Sequence, residues 1–296
     1  MQATRTAQRW AFAVGCLGLL AAAVAGCSDA DRSTEQPRAP AGVSLSFVQL
    51  RIDEGTDRAQ LRVVNGSGSD LTVTGVGLDW PGYGEFLDDY DTVVVAGRVL
   101  DLRVTLPEPR CEDADPADAD DAAVVGQLRV GVAGHDVVVR DELDESGRGY
   151  VTRIWQRRCQ DLLVARSVTM SYGGHWAIEG SGRRARLVGT VTLRREQSAG
   201  TIRLRGFLGS VLLEPHLPRP VVLTPGADEV TAPLEIVVPR CDEHALTESS
   251  QTFHLQASFR FGADEPVQVL RLPGARTREA AQRLIDEACV IDGSAE

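Results

Sequence analysis

Residues 239–243 read Pro-Arg-Cys-Asp-Glu and repeat, 130 positions on, residues 109–113, Pro-Arg-Cys-Glu-Asp. Cys111 is followed 48 residues later by Cys159, and Cys241 at the same spacing by Cys289. The surroundings repeat as well. VLDLRVTL and VTAPLEIVV precede the first cysteine of each pair; AVVGQLRVGV with HDVVVR, and TFHLQASFRF with PVQVLRL, follow it. Before the second cysteines, Tyr150, Val151, Ile154 and Trp155 share one helical face, and Ala280, Ala281, Leu284 and Ile285 do so at the same offset of 130. This pattern predicts a helix ending at the cysteine in each copy. So many coincidences at one offset predict an internal duplication.

The rest of each copy has strand character. VSLSFVQLRI, RAQLRVVN and DLTVTGVGL are separated by Asp-Glu-Gly and Asn65-Gly66-Ser67-Gly68 turn chemistry, and RARLVGTVTLR and GTIRLRGFLGSVLL take their parts in the second copy. The expected fold is therefore mainly β. It consists of two tandem immunoglobulin-like β-sandwich modules, 43–165 and 166–292, each with one C-terminal helix stapled by a disulfide. Only Gln160 and Asp161 separate Cys159 from the next apolar run, so the modules are expected to pack as a rigid pair.

Of the six cysteines, Cys16 and Cys27 belong to the N-terminal leader region, and the other four permit three connectivities. Pairing Cys111 with Cys159 and Cys241 with Cys289 closes two loops of equal length in self-sufficient units. The competing idea is a metal at Cys241-x-x-His244, but the first copy has Ala114 in place of the histidine and no second ligand pair follows.

The N-terminal residues set the expected location. Arg5 and Arg9 precede an apolar run from Trp10 to Val24, which ends in Val24-Ala25-Gly26-Cys27. Residues 1–26 read as a lipoprotein signal peptide, with Cys27 lipidated and left as the first mature residue. Residues 27–42 then form a polar tether with a reach of roughly 20 Å. The expected location is extracytoplasmic, anchored by lipid to the outer face of the cell membrane.

LRVVNGSGSDLTVTGVGL is similar to the early strands of bacterial immunoglobulin-like domains, where an Asn-Gly turn joins two alternating strands. The Pro-Arg-Cys-acid-acid arrangement followed by a helix and cysteine resembles a family of actinobacterial secreted lipoproteins. No activity comes with that resemblance, which implies fold and location only.

Composition removes several chemistries. All 31 basic residues are arginine, and without lysine there is no Walker-type phosphate loop, no Schiff base and no S-x-x-K nucleophile. The net charge of −11 argues against a nucleic-acid partner. No cofactor is expected. The charge is uneven: residues 43–165 hold 23 acids and 12 arginines, whereas 166–292 hold 15 of each.

Three candidate sites stand out. The run of Glu112, Asp113, Asp115, Asp118, Asp120 and Asp121 has the oxygen density for calcium, but it lacks the glycine and the bidentate glutamate of an EF-hand; a solvated loop is the simpler reading. Arg183, Arg184, Arg186, Arg194, Arg195, Arg203 and Arg205 crowd 23 residues. Strand alternation would put Arg184 with Arg186, and Arg203 with Arg205, on faces able to meet anionic groups. Trp80, Tyr83, Phe86 and Tyr90 form an aromatic loop, either a binding lip or a packed cover. His135, His175, His216, His244 and His254 are scattered without catalytic spacing, and no G-x-S-x-G or H-E-x-x-H occurs.

The expected function is non-enzymatic binding or display at the cell surface, toward a protein or an envelope polymer. The alternatives are a secreted hydrolase whose site assembles only in the fold, and a calcium-dependent adhesin.

Overall fold

Two sheets face each other in the first half of the chain. The computed structural model describes residues 38–111 and 122–289. Strands β1 (Val43–Val48), β2 (Arg58–Asn65) and β5 (Val99–Thr105) form one antiparallel sheet in the order β1-β2-β5. Opposite it lie β3 (Leu71–Asp79), β4 (Phe86–Val94), β6 (Val125–Val132) and β7 (His135–Glu142), in the order β4-β3-β6-β7. Period-two alternation sends Leu61, Val63, Leu102 and Val104 inward from one sheet, and Val73, Leu128 and Val130 inward from the other; all are buried.

The second half repeats the plan. It comprises β8 (Val168–Tyr172), β9 (Ala177–Glu179), β10 (Arg186–Arg195), β11 (Ile202–Leu208), β12 (Glu214–His216), β13 (Val221–Leu223), β14 (Glu229–Val237), β15 (Gln256–Phe261) and β16 (Val267–Leu270). Its sheets run β12-β14-β10-β8, with β9 also on β10, and β13-β11-β15-β16. Thus β8-β10-β14 matches β1-β2-β5, and β13-β11-β15-β16 matches β4-β3-β6-β7. The passage filled by β4 is divided in the second copy: β12 pairs with β14 in one sheet and β13 with β11 in the other.

Register repeats at the same offset of 130 as the cysteines. Val64 faces Val99, and Arg194 faces Glu229; Thr72 faces Gly131, and Ile202 faces Phe261. The Asn65 N–H donates to Arg98 O at 2.9 Å, and the Arg195 N–H to Asp228 O at 2.7 Å. The fold is therefore two tandem immunoglobulin-like sandwiches, and both disulfides form within their own copy, Cys111–Cys159 and Cys241–Cys289.

Asn65 and Arg195 hold equivalent positions at the end of β2 and of β10, and both clamp neighbouring turns. The Asn65 amide donates to Ser69 O and Val94 O and accepts from Ser67. Arg195 is more heavily committed. It donates through Nε to Ala227 O, through Nη1 to Ser198 O and Gly200 O, and through Nη2 to Leu223 O and Thr224 O. All five guanidinium donors reach backbone carbonyls.

Helix α1 (Glu145–Ser167) departs from the sequence-based expectation. Asp144 caps it by accepting from the Gly147 N–H at 2.7 Å, and it does not stop at Cys159 but runs on to Ser167, directly before β8. The two residues expected as a linker are helical. The helix serves two cores through different faces. Val151, Ile154 and Trp155 pack into the first sandwich, whereas Val164 lies in the core of the second. At about 100° per residue, Val164 points about 130° away from the mean direction of the first group. Helix α3 (Ala275–Ala288) behaves as expected: it buries Ala280, Ala281, Leu284 and Ile285 on one stripe and ends at Cys289, its C-cap. A short helix, α2 (Glu243–Glu248), completes the second copy.

Gly66-Ser67-Gly68 lie in the turn that joins β2 to β3, as the sequence predicts, and that turn carries the chain from one sheet to the other. One further expectation is corrected: the Gly66 N–H donates to Gly42 O at 2.8 Å, so the last residue assigned to the tether is docked on the first sandwich. Of the two readings of the aromatic stretch, the packed cover holds. Trp80 and Tyr83 are buried, Trp80 meets Trp155 edge-on at 5.6 Å, and Phe86 and Tyr90 stand on β4.

Candidate functional site

The two sandwiches enclose a cleft of about 840 Å³. Three walls build it. The first is the outward stripe of α1, where Arg153, Gln156, Arg157 and Gln160 recur at i, i+3, i+4 and i+7 and therefore share a face. This stripe lies opposite the face that the helix buries in the first sandwich, and on the same side as Val164. The second wall is the β1–β2 connection, with Arg51, Glu54 and Gly55. The third comes from the second sandwich: Arg240, His244, Ser249, Gln251 and His254 from the segment around α2, with Gln256 and Gln268 from β15 and β16.

Direct bonds fix the separation of the walls. Arg271 Nη1 reaches Asp161 Oδ1 on α1 at 3.1 Å, and within the second sandwich the Tyr172 hydroxyl holds Arg271 in place by donating to its carbonyl at 3.1 Å. Burial raises the pKa of the Asp161 carboxyl, against the opposing charges of Arg271 and Arg157. Gln251 Nε2 spans the two copies, donating to Arg51 O at 3.3 Å and to Glu54 Oε2 at 3.1 Å. Gly55 adopts φ +79° against the Leu270 side chain, a close approach that suits glycine.

The cleft is cationic and polar. Among the described residues four arginines face one carboxylate, Glu54, although the first sandwich as a whole is strongly acidic. Arg240 is held by Asp242 through a two-pronged contact at 2.9 and 3.0 Å, and Asp242 also caps α2 by accepting from the Ala245 N–H. Those hydrogen bonds, first from Arg240 and then from Ala245, hold the Asp242 carboxyl below its ordinary range. The guanidinium of Arg153 lies 4.8 Å from the centre of the Tyr150 ring. Ser249 and Ser210 bond to Thr252 rather than to an imidazole.

The sequence-derived candidates fall elsewhere. Arg184 sits in a 3-10 turn, Gly182–Arg184, not on a strand, so alternation does not govern it. Arg186 pairs with Glu179 at 2.8 Å on β10. Arg203 and Arg205 belong to β11 in the opposite sheet, with Arg203 directly across from Arg260. The four therefore form no common anion-binding face, because the chain crosses from one sheet to the other between them. Arg195 is a clamp and not a surface cation. Cys27 and the acidic residues Asp113, Asp115, Asp118, Asp120 and Asp121 lie outside the described residues. Cys241 is bonded to Cys289, which commits its sulfur. Among the described residues no cluster of three or more His, Cys, Asp or Glu side chains is placed to hold a metal ion.

The architecture and cleft define the class: a pair of immunoglobulin-like modules locked around a polar groove. No protein-family profile matches the chain, and no curated protein does. Solved structures give distant likenesses. A red sea bream transglutaminase aligns at 12% identity and a TM-score of 0.24, over 77% of this chain and 31% of its own. An exo-chitosanase from Amycolatopsis orientalis aligns at 13% identity and a TM-score of 0.21, over 77% of this chain and 26% of its own. A Porphyromonas gingivalis protein of unknown function aligns at 17% identity and a TM-score of 0.20, over 78% of this chain and 98% of its own. The chain spans less than a third of the transglutaminase and the chitosanase. Similarity at this level assigns nothing to the cleft.

Proposed function

We propose that this is a lipid-anchored extracytoplasmic protein that binds an envelope polymer or protein without chemical turnover, and that it belongs with actinobacterial lipoproteins of tandem immunoglobulin-like build. The observation that carries the reading is the groove between two disulfide-stapled sandwiches, which is open and lined on three sides by cations and amides. Binding surfaces commonly lie where rigid units meet. Among the described residues no helix is long and apolar enough to cross a membrane, and Cys27 with its leader supplies the attachment in this account.

Replacing Cys27→Ala is expected to move the protein from the membrane fraction to the soluble extracytoplasmic fraction. Unchanged retention in the membrane would sink the lipid anchor. A second reading, hydrolysis, draws on His244 and His254, which both line the groove. Turnover of any ester or glycoside that is lost in His254→Ala would favour it over binding alone.

A further inference from the structure

We infer that the groove is the ligand site and that it takes a phosphate-bearing polyol chain. The inference rests on the binding role proposed above and names its site and ligand class. Arg51, Arg153 and Arg157 come from a sandwich whose acids outnumber its arginines almost two to one, yet they converge on one side of the groove. Arg240, whose guanidinium is already paired with Asp242, faces them from the other sandwich, and among the described residues Glu54 is the one carboxylate in the lining. Such a concentration of one sign between low-dielectric walls attracts anions from well outside contact distance.

The neutral lining narrows the class. Gln156, Gln160, Gln256 and Gln268 each carry a donor and an acceptor, which suits hydroxyl groups better than an apolar chain. Planar guanidinium groups match the paired oxygens of phosphate. At about 840 Å³ the groove has room for several polyol-phosphate units. A fixed separation of the walls, set by Arg271–Asp161 and by Gln251 on Glu54, makes the site preformed.

Titration calorimetry of the full-length protein in detergent tests this with poly(glycerol phosphate) as the probe. Dextran serves as the uncharged control, and phosphatidylinositol vesicles as the headgroup source. Saturable binding of the phosphate polymer that weakens with salt, and no binding of dextran, is the expected result. Arg51→Gln combined with Arg153→Gln should weaken it about tenfold or more. Arg203→Gln, on the outer face of the second sandwich, should leave it unchanged. Circular dichroism melts of the variants separate lost binding from lost folding.

Polymer binding that ignores the Arg51 and Arg153 changes would overturn the groove as the site while leaving the surface-binding role standing. Binding confined to vesicles, or none at all, would overturn the ligand class. Neither result bears on the Cys27 anchor, which fractionation decides separately.

Discussion

Removal of the first disulfide, by Cys111→Ala with Cys159→Ala, is expected to cost about 4 kcal/mol, the chain-entropy value for a loop of this length. Both disulfides close loops of 48 residues, so that contribution is the same for each. Their positions differ. Cys159 lies in the interior of α1, whose earlier turns pack into one core and whose last turn packs into the other. Cys289 only terminates α3. Loss of Cys111–Cys159 should therefore lower the melting temperature of both sandwiches together. Loss of Cys241–Cys289 should loosen the second sandwich first. Fluorescence separates them, since Trp80 and Trp155 report on the first core and Trp176 on the second. Identical transitions for the two double variants would contradict the shared role of α1.

Arg195→Ala is expected to destabilise the second sandwich by about 2–4 kcal/mol, because five carbonyls lose a charged donor at once. Lysine should restore less than half of this. Its ammonium is a single point with three donors, and it cannot reach both the loop at Ser198 and Gly200 and the turn at Leu223, Thr224 and Ala227. Arg203→Ala, exposed on β11, should change stability far less. Denaturant midpoints of the three variants make the comparison. Equal effects of Arg195→Ala and Arg203→Ala would reduce Arg195 to an ordinary surface cation.

Much of this architecture was legible because a duplication writes itself twice. The cysteines, the Pro-Arg-Cys motif and the strands around it recur at one offset, and the structure repeats the strand order and register at that same offset. The extent of α1 was hidden for a physical reason. Its N-terminal part and its last turn bury different faces, so no single apolar stripe runs through it, and Leu162-Leu163-Val164-Ala165 looks like the start of a new unit. Strand β4 was hidden because Leu87-Asp88-Asp89-Tyr90-Asp91 forms a sheet edge, where polar residues face solvent on both sides and alternation disappears.

The groove was less legible still. Its walls come from residues 51–55, 153–160, 209–211 and 240–270, which only folding brings together. One local signal existed: the polar stripe of Arg153, Gln156, Arg157 and Gln160 opposite the apolar face of the helix. A stripe of this kind ordinarily marks a solvated surface. The crowded arginines at 183–205 drew attention instead, although a crossing between sheets scatters them. Proximity in sequence was a poor guide to proximity on the surface.

The uninterrupted helix α1 joins the two sandwiches into one body and so holds the groove open between them. Residual dipolar couplings of the backbone amides, measured in a weakly aligned sample, test this directly. A single alignment tensor should fit the amides of 43–111, 122–158 and 168–289 together, with the amides of Gln160 to Val164 following as helix. Two tensors of different magnitude for the two sandwiches would show independent motion, and the account of a preformed groove would then be wrong.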